Sequence, residues 1–218
     1  MSFLSIVKSL RNRQDLLTYL TLFPAVRYVE KILARCSSLV DAGCGEASWL
    51  RFVKFSGNTM GIDGWEPSIW FSRQRGIHAS YVLADLREFD FSRIAPDAIL
   101  CLDVIEHFEK PESAALLERL VRAARKVVVV VTPNGFVEQI PEDGNEFQRH
   151  FCGWAAEELR ARGFAVFGIL GLKGLRGPFG RIARKPVPFW WLVSKLSEPY
   201  VWRHPERAFS LLAIRPAC

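Results

Sequence analysis

No stretch of the sequence approaches the roughly 18 consecutive apolar residues of a membrane span, so no spanning helix is expected. Its five cysteines (Cys36, Cys44, Cys101, Cys152 and Cys218) form an odd set with no C-x-x-C pair. That spacing supports neither a disulfide framework nor a structural zinc site, and it fits a reducing compartment. The opening MSFLSIVKSL has no long apolar core and no small-residue cleavage site, so no signal peptide is expected. A cytoplasmic location, at most peripheral to a membrane, is therefore expected. There is no internal repeat and no low-complexity tract. A composition of 50% hydrophobic and 24% charged residues argues against disorder, and 218 residues suit one domain of ordinary size.

Positive charge is absent from most of the chain as an excess. Residues 173–218 hold nine Lys/Arg against two acids, whereas the rest holds twenty bases and twenty-one acids. The net charge of +6 is thus that of a near-neutral body with a basic appendage. Such a distribution does not imply nucleic-acid binding by default.

What is present is an alternation. Residues 3–35 have helical spacing, with Pro24 expected to split them into two segments. SLVDA (38–42) reads as a strand, EASWLRFVKF (46–55) as a helix, and NTMGID (58–63) as a second strand followed by a helix near Pro67. ASYVLAD (79–85) and PDAILCLD (96–103) read as strands three and four. A helix from Pro111 to Ala124 leads into KVVVVVTP (126–133), whose unbroken β-branched run is the mark of a strand buried on both faces. A helix near 154–162 precedes GFAVFGIL (163–170), and FSLLAIRP (209–216) reads as the last strand. Strands alternating with helices predict a mostly parallel, doubly wound α/β sheet. Residues 1–37 are expected to form a helical cap on a domain spanning 38–218. Residues 171–208, rich in Gly, Pro, Arg and Trp, read as an insertion between the last two strands.

The chemistry gathers at successive strand ends. In LVDAGCGEASWL (39–50) a strand ends at Asp41 and turns through Gly43, Cys44 and Gly45. Gly43 suits a tight turn and Gly45 a close backbone approach to a ligand. Asp63 ends the second strand, eighteen positions after Gly45, where a doubly wound fold grips ribose hydroxyls. Asp85 ends the third strand, and CLDVIEHFEKP (101–111) brings Asp103, Glu106 and His107 to the end of the fourth. Ligands bind at that edge in such folds.

VDAGCGEAS, GIDGWEPS, LADL, LCLDVIEHFEKP, VVVVVTPNG and EFQRHFCGWAAEELRARGF together resemble the class I S-adenosylmethionine-dependent methyltransferases. Within that class they are similar to the small-molecule and lipid methyltransferases related to the ubiquinone-biosynthesis O-methyltransferases. The resemblance covers roughly residues 38–170. It implies a seven-stranded Rossmann-like domain with S-adenosylmethionine as cofactor and no metal. It further implies that Asp41, Gly43, Cys44 and Gly45 hold the methionine end of the cofactor. Asp63 would bind the ribose with Gly64 and Trp65 beside it, Asp85 and Leu86 would meet the adenine, and Leu102 or Asp103 would line the path to the acceptor. Ala47 stands where the family's third loop glycine is usual. Methyl transfer from a sulfonium is a displacement that needs alignment and, for a hydroxyl acceptor, a base. His107, with an ordinary pKa near neutrality, is the first candidate and His150 the second.

Other readings stand beside this one. Asp85 could simply cap the following turn, and the Asp103–Glu106–His107 set could organise its loop without chemistry. Gly43, Gly45 and Asp63 also sketch the loop of an NAD-dependent oxidoreductase. A non-catalytic cofactor-binding protein docking on a membrane or partner is a third reading. The expected acceptor is a small hydrophobic, lipid-like or quinone-like molecule. In the 171–208 insertion, Phe179, Phe189, Trp190, Trp191, Tyr200 and Trp202 interleave with Arg and Lys, which suits a membrane surface. The amphipathic start (Phe3, Leu4, Ile6, Val7) would add a second contact of that type. Single-strand nucleic acid is the less favoured partner. The sequence does not indicate an oligomeric state.

Overall fold

A computed structural model describes residues 13–46, 48–141 and 144–217. Ala47, Cys218 and the apolar residues at positions 3–7 lie outside them. Seven strands form one sheet in the order β3-β2-β1-β4-β5-β7-β6. They are β1 (Ser38–Ala42), β2 (Asn58–Asp63), β3 (Ser80–Leu83), β4 (Ala98–Leu102), β5 (Val127–Pro133), β6 (Ala165–Leu172) and β7 (Ala208–Pro216). The first five are parallel, and β7 runs antiparallel between β5 and β6. The helices are α1 (Arg13–Leu33), α2 (Glu66–Arg75), α3 (Lys110–Ala123), α4 (Ala156–Ala161), α5 (Val187–Leu196) and α6 (Glu198–Arg203).

The valine run explains the sheet's centre. Every residue of β5 is buried. Val128 and Val130 join the core that α3 and α4 cover, whereas Val127, Val129 and Val131 join the core beneath α1. The pleat sends alternate side chains to opposite faces, so only a strand covered on both sides tolerates five valines in a row. Each fully buried valine contributes roughly 1.5–3 kcal/mol relative to exposure.

Three expectations change. Among the described residues the N-terminal segment is one helix, Arg13–Leu33, which runs through Pro24 instead of breaking there. Proline removes an intrahelical donor and pushes open the preceding turn, and here Lys195 Nζ donates to the Thr21 carbonyl in that turn, 2.9 Å away. The expected helix over 46–55 is only a 3-10 turn, Trp49–Phe52. Val53 is extended, and the Lys54 N–H donates to Glu30 Oε1 of α1 rather than to a helical carbonyl. The stripe Tyr19, Leu22 and Val26 on α1 packs on Phe52 and occupies the layer a longer helix would fill. The insertion, which has no legible period, contains α5 and α6. Its aromatics divide. Trp191 Nε1 donates to Thr21 Oγ1, and Trp202 stacks on Phe167 and meets Tyr28 edge-on, so these two fasten the insertion to α1 and β6. Phe179, Phe189 and Tyr200 stay exposed.

Candidate functional site at the carboxyl edge

The glycine loop is held by the strands beneath it. The Gly43 and Cys44 N–H groups both donate to the Ile62 carbonyl. Gly43 has φ +77, and a Cβ there would lie 2.4 Å from Val104 Cγ2, so both its conformation and its space demand glycine. Gly45, at φ +54, would meet nothing within 4 Å and faces open space. Cys44 is buried, and burial pushes its thiol well above the ordinary range.

Asp63 knits two loops together. Its Oδ2 accepts from the Gly45 N–H and its Oδ1 from the Trp65 N–H, both at 2.8 Å. Burial raises its pKa, and those two donors oppose the rise. Each oxygen keeps lone-pair capacity for a further donor. Trp65 caps α2, while Gly64 packs under Phe147, whose ring a Cβ would meet at 3.1 Å. Asp41 differs: it is buried, and its Oδ2 accepts from Ser48 Oγ and lies 3.0 Å from His78 Nε2. At the third strand, Asp85 Oδ1 accepts from the Arg87 N–H in the manner of a turn cap, 2.8 Å away, and Leu86 is buried in the core. The capping reading of Asp85 is therefore met in its geometry.

The end of β4 holds the unusual chemistry. Leu102 is half-buried, and Asp103 follows at φ +56, a left-handed conformation uncommon outside glycine and concentrated at functional sites. Asp103 keeps accessible surface, yet the surrounding protein desolvates its carboxyl and raises it to about 6. Glu106 is 1% exposed. Burial, and after it the charge of Asp103, raises its pKa far above the carboxylate range. Its Oε2 accepts from Thr132 Oγ1, and its Oε1 has no partner among the described residues. Ser113, in the first turn of α3, fixes this segment by donating to the Ile105 carbonyl and accepting from Trp154 Nε1.

His107 and His150 meet edge to face, with ring centroids 4.8 Å apart. Their Nδ1 atoms lie 3.0 Å and 2.6 Å from the carbonyls of Arg149 and Val137. A carbonyl can only accept, so each neutral ring carries its proton on Nδ1 and keeps a lone pair on Nε2. Burial lowers His107 to about 4, against the carbonyls of Arg149 and Asp103, and burial also lowers His150. The expectation of a near-neutral His107 thus changes, because desolvation keeps it uncharged and weakly basic. Desolvation thus acts on the two groups in opposite directions, raising Asp103 and lowering His107, which favours the carboxylate over the imidazole as a base.

Candidate donor atoms of Glu106, His107 and His150 lie within 4.8 Å of one another, a set that could hold a divalent cation. Neither that grouping nor the contact between His78 and Asp41 is legible in the sequence, since both join residues 37 or more positions apart. Four phenylalanines (Phe136, Phe147, Phe151 and Phe179) are exposed along the segments that follow β5 and β6.

Residues 39–127 match the family model described as "Methyltransferase domain". No curated protein matches by sequence. Solved structures do match. PH0226 protein from Pyrococcus horikoshii OT3 is 15% identical with a TM-score of 0.59, over 95% of this chain and 93% of its own. The plantazolicin methyltransferase BpumL in complex with SAH is 16% identical with a TM-score of 0.55, over 98% and 89%. The N-terminal domain of EvdMO1 with SAH bound is 13% identical with a TM-score of 0.56, over 89% and 80%. At these identities the likeness carries the fold. The chain has the Rossmann-like methyltransferase fold, with an antiparallel seventh strand inserted beside β5. A doubly wound dinucleotide fold instead places its sixth strand beside the fifth, which weighs against the NAD reading.

Proposed function

We propose that the protein transfers a methyl group from S-adenosylmethionine to a hydroxyl on a hydrophobic, lipid-like or quinone-like small molecule. The observation that carries this reading is the joint geometry of the open glycine loop and Asp63. The residues present fit the cofactor. Gly45 leaves space where a side chain would intrude, and Asp63 keeps lone pairs for two ribose hydroxyls while its carboxylate fixes the loop. Gly43, Cys44 and Gly45 would line the methionine end with Asp41 beneath them. Gly64 and Trp65 would flank the ribose and adenine, and Asp85 and Leu86 would meet the adenine edge. When bound, S-adenosylmethionine supplies an electrophilic methyl group on a sulfonium.

The chain's own residues then align the acceptor and take its proton. Leu102 and Asp103 would line the passage from cofactor to acceptor. Asp103, raised to about 6 and accessible, is the base of choice, with the neutral rings of His107 and His150 accepting hydrogen bonds from the acceptor. The exposed phenylalanines would receive an apolar acceptor. The cluster of Glu106, His107 and His150 favours a second reading of the same step, in which a divalent cation held there lowers the pKa of the acceptor hydroxyl.

The reading extends to an anionic membrane surface as the place of work, consistent with a cytoplasmic protein acting at a bilayer. On α5, Phe189, Leu192 and Leu196 are exposed at helical spacing, and Val187 precedes them beside exposed Arg184 and Lys185. Apolar side chains next to cations suit headgroup level. Among the described residues no helix is long and apolar enough to cross a membrane.

The test is incubation of the protein with methyl-labelled S-adenosylmethionine and fractionated lipid extract. Label in one organic-phase fraction, lost in Asp103→Asn, is expected; binding of the cofactor with no labelled product in any fraction would overturn the enzymatic reading. A chelator arm decides between base and cation, because loss of label restored by magnesium or zinc requires the cation. Sedimentation with phosphatidylglycerol vesicles, weakened by Leu192→Asp and by high salt, tests the surface; equal binding to neutral vesicles would contradict it.

A further inference from the structure

We infer that His78 is a positioning residue for the glycine loop, acting through Asp41; the inference rests on the methyl-donor reading above. His78 follows α2 and lies 37 positions from Asp41, yet its Nε2 is 3.0 Å from Asp41 Oδ2, with both side chains essentially inaccessible. Asp41 Oδ2 also accepts from Ser48 Oγ, whose oxygen in turn accepts from the Leu50 N–H at 3.1 Å. Ser48 sits at the far end of the glycine loop. A chain of hydrogen bonds therefore runs from His78 through Asp41 to the point where the loop re-enters regular structure.

The surroundings are shaped for this ring. A Cβ on Gly61 of β2 would lie 3.0 Å from His78 Nδ1 and 2.9 Å from Cys44 Sγ, so glycine there opens the passage by which His78 reaches β1. The His78 N–H donates to Tyr81 Oη at 3.0 Å. Ser72 Oγ lies 3.4 Å from His78 Nδ1 and donates to Tyr81 Oη at 3.2 Å, and the Tyr81 ring packs edge-on against the imidazole. Both ring nitrogens and the backbone of His78 are thus oriented by named partners. A buried carboxylate needs donors to remain in place, and among the described residues the Asp41 carboxylate is held by Ser48 and His78. Ile62 O and Asp63 anchor the loop at its first half, and the Arg75 guanidinium donates to the Glu46 carbonyl at 2.6 Å. His78 and Asp41 hold the loop where it re-enters regular structure at Ser48.

The test is titration calorimetry of the folded protein with S-adenosylhomocysteine, beside amide hydrogen exchange over residues 43–50 of the ligand-free protein. His78→Phe keeps a ring and removes the donor. Its Kd is expected to rise about tenfold, the scale of one hydrogen bond to a charged group, with faster exchange confined to the loop. His78→Gln can still donate to Asp41 and is expected to recover most of the affinity. Ser48→Ala cuts the chain from the other side, and its loss should combine less than additively with that of His78→Phe. Unchanged affinity and exchange in His78→Phe would overturn the proposal, as would equal losses in the Phe and Gln variants. If His78→Phe does not fold, wild-type behaviour of Ser48→Ala overturns it. A wild-type protein that does not bind S-adenosylhomocysteine counts against the methyl-donor reading instead, and loop exchange then still decides the role of His78.

Discussion

Strand β4 has a carboxylate at each end, and the fold treats the two in opposite ways. Asp97, just before the strand, accepts from the Ser37 N–H and Oγ and pairs with Arg125 and Lys126 at 2.9 Å each. Those donors, led by the Ser37 N–H, hold its carboxyl well below the usual range. Asp103, just after the strand, forms no ion pair among the described residues, takes a left-handed backbone, and is raised to about 6 by desolvation. Glu106 nearby is raised further and keeps an unpartnered oxygen. The amino edge of the sheet satisfies its charges and serves stability. At the carboxyl end of β4, Asp103 and Glu106 are not satisfied in this way, which costs stability and leaves groups free to act on a ligand.

The comparison can be broken most sharply at Asp103. Asp103→Asn is expected to lower kcat by at least about 100-fold, the usual scale for a general base. Affinity for S-adenosylhomocysteine should stay within about threefold. A normal kcat would return Asp103 to a loop-forming role. Next in size, Asp63→Ala should weaken S-adenosylhomocysteine by roughly 30–100-fold, because it removes both loop anchors and the ribose acceptors together. Calorimetry reads this directly, and unchanged affinity would remove the carboxylate from the binding site. Asp97→Asn should do the reverse, lowering Tm while leaving kcat/KM of the folded fraction unchanged. A loss of activity there without a loss of Tm would erase the distinction between the edges.

The smallest effect concerns pH, and its sign differs between the two edges. Asp97 has a lowered folded pKa, so its contribution is complete above the unfolded carboxylate value and disappears as pH falls through the folded one. Glu106 has a raised folded pKa, so the fold is favoured while it is protonated and loses stability as pH rises above 4.5 toward that raised value. Glu106→Gln should therefore gain Tm relative to wild type more at pH 8 than at pH 5. His107, lowered to about 4, works in the other direction: its neutral form is favoured, and stability falls as pH drops from 6.5 toward 4. Parallel Tm–pH curves for Glu106→Gln and wild type would contradict the assigned shift.

Much of the fold was legible because its signals are periodic. The valine run of β5, the strand-end carboxylates Asp41, Asp63 and Asp103, and the turn glycines Gly43 and Gly45 all lie where short-range pattern placed them. Tertiary packing decided what pattern could not. Pro24 reads as a break, yet α1 continues through it, with Lys195 bound to the Thr21 carbonyl in the preceding turn. Residues 46–55 read as a helix, but α1 takes the space and only a single 3-10 turn remains. The site showed the same division. Spacing placed His107 beside Asp103, whereas desolvation by the surrounding fold, which no pattern reports, raises the carboxylate and lowers the imidazole. The link from His78 to Asp41 depends on the pairing of β1 with β2 and on the gap at Gly61, and neither is a local property.

The most direct measurement is calorimetric titration of the wild-type protein with S-adenosylhomocysteine, with NAD as the parallel control and Asp63→Ala as the internal check. Micromolar binding of S-adenosylhomocysteine, lost in Asp63→Ala and absent for NAD, is the predicted result. No binding of S-adenosylhomocysteine, or clear saturable binding of NAD, would contradict the account at its centre.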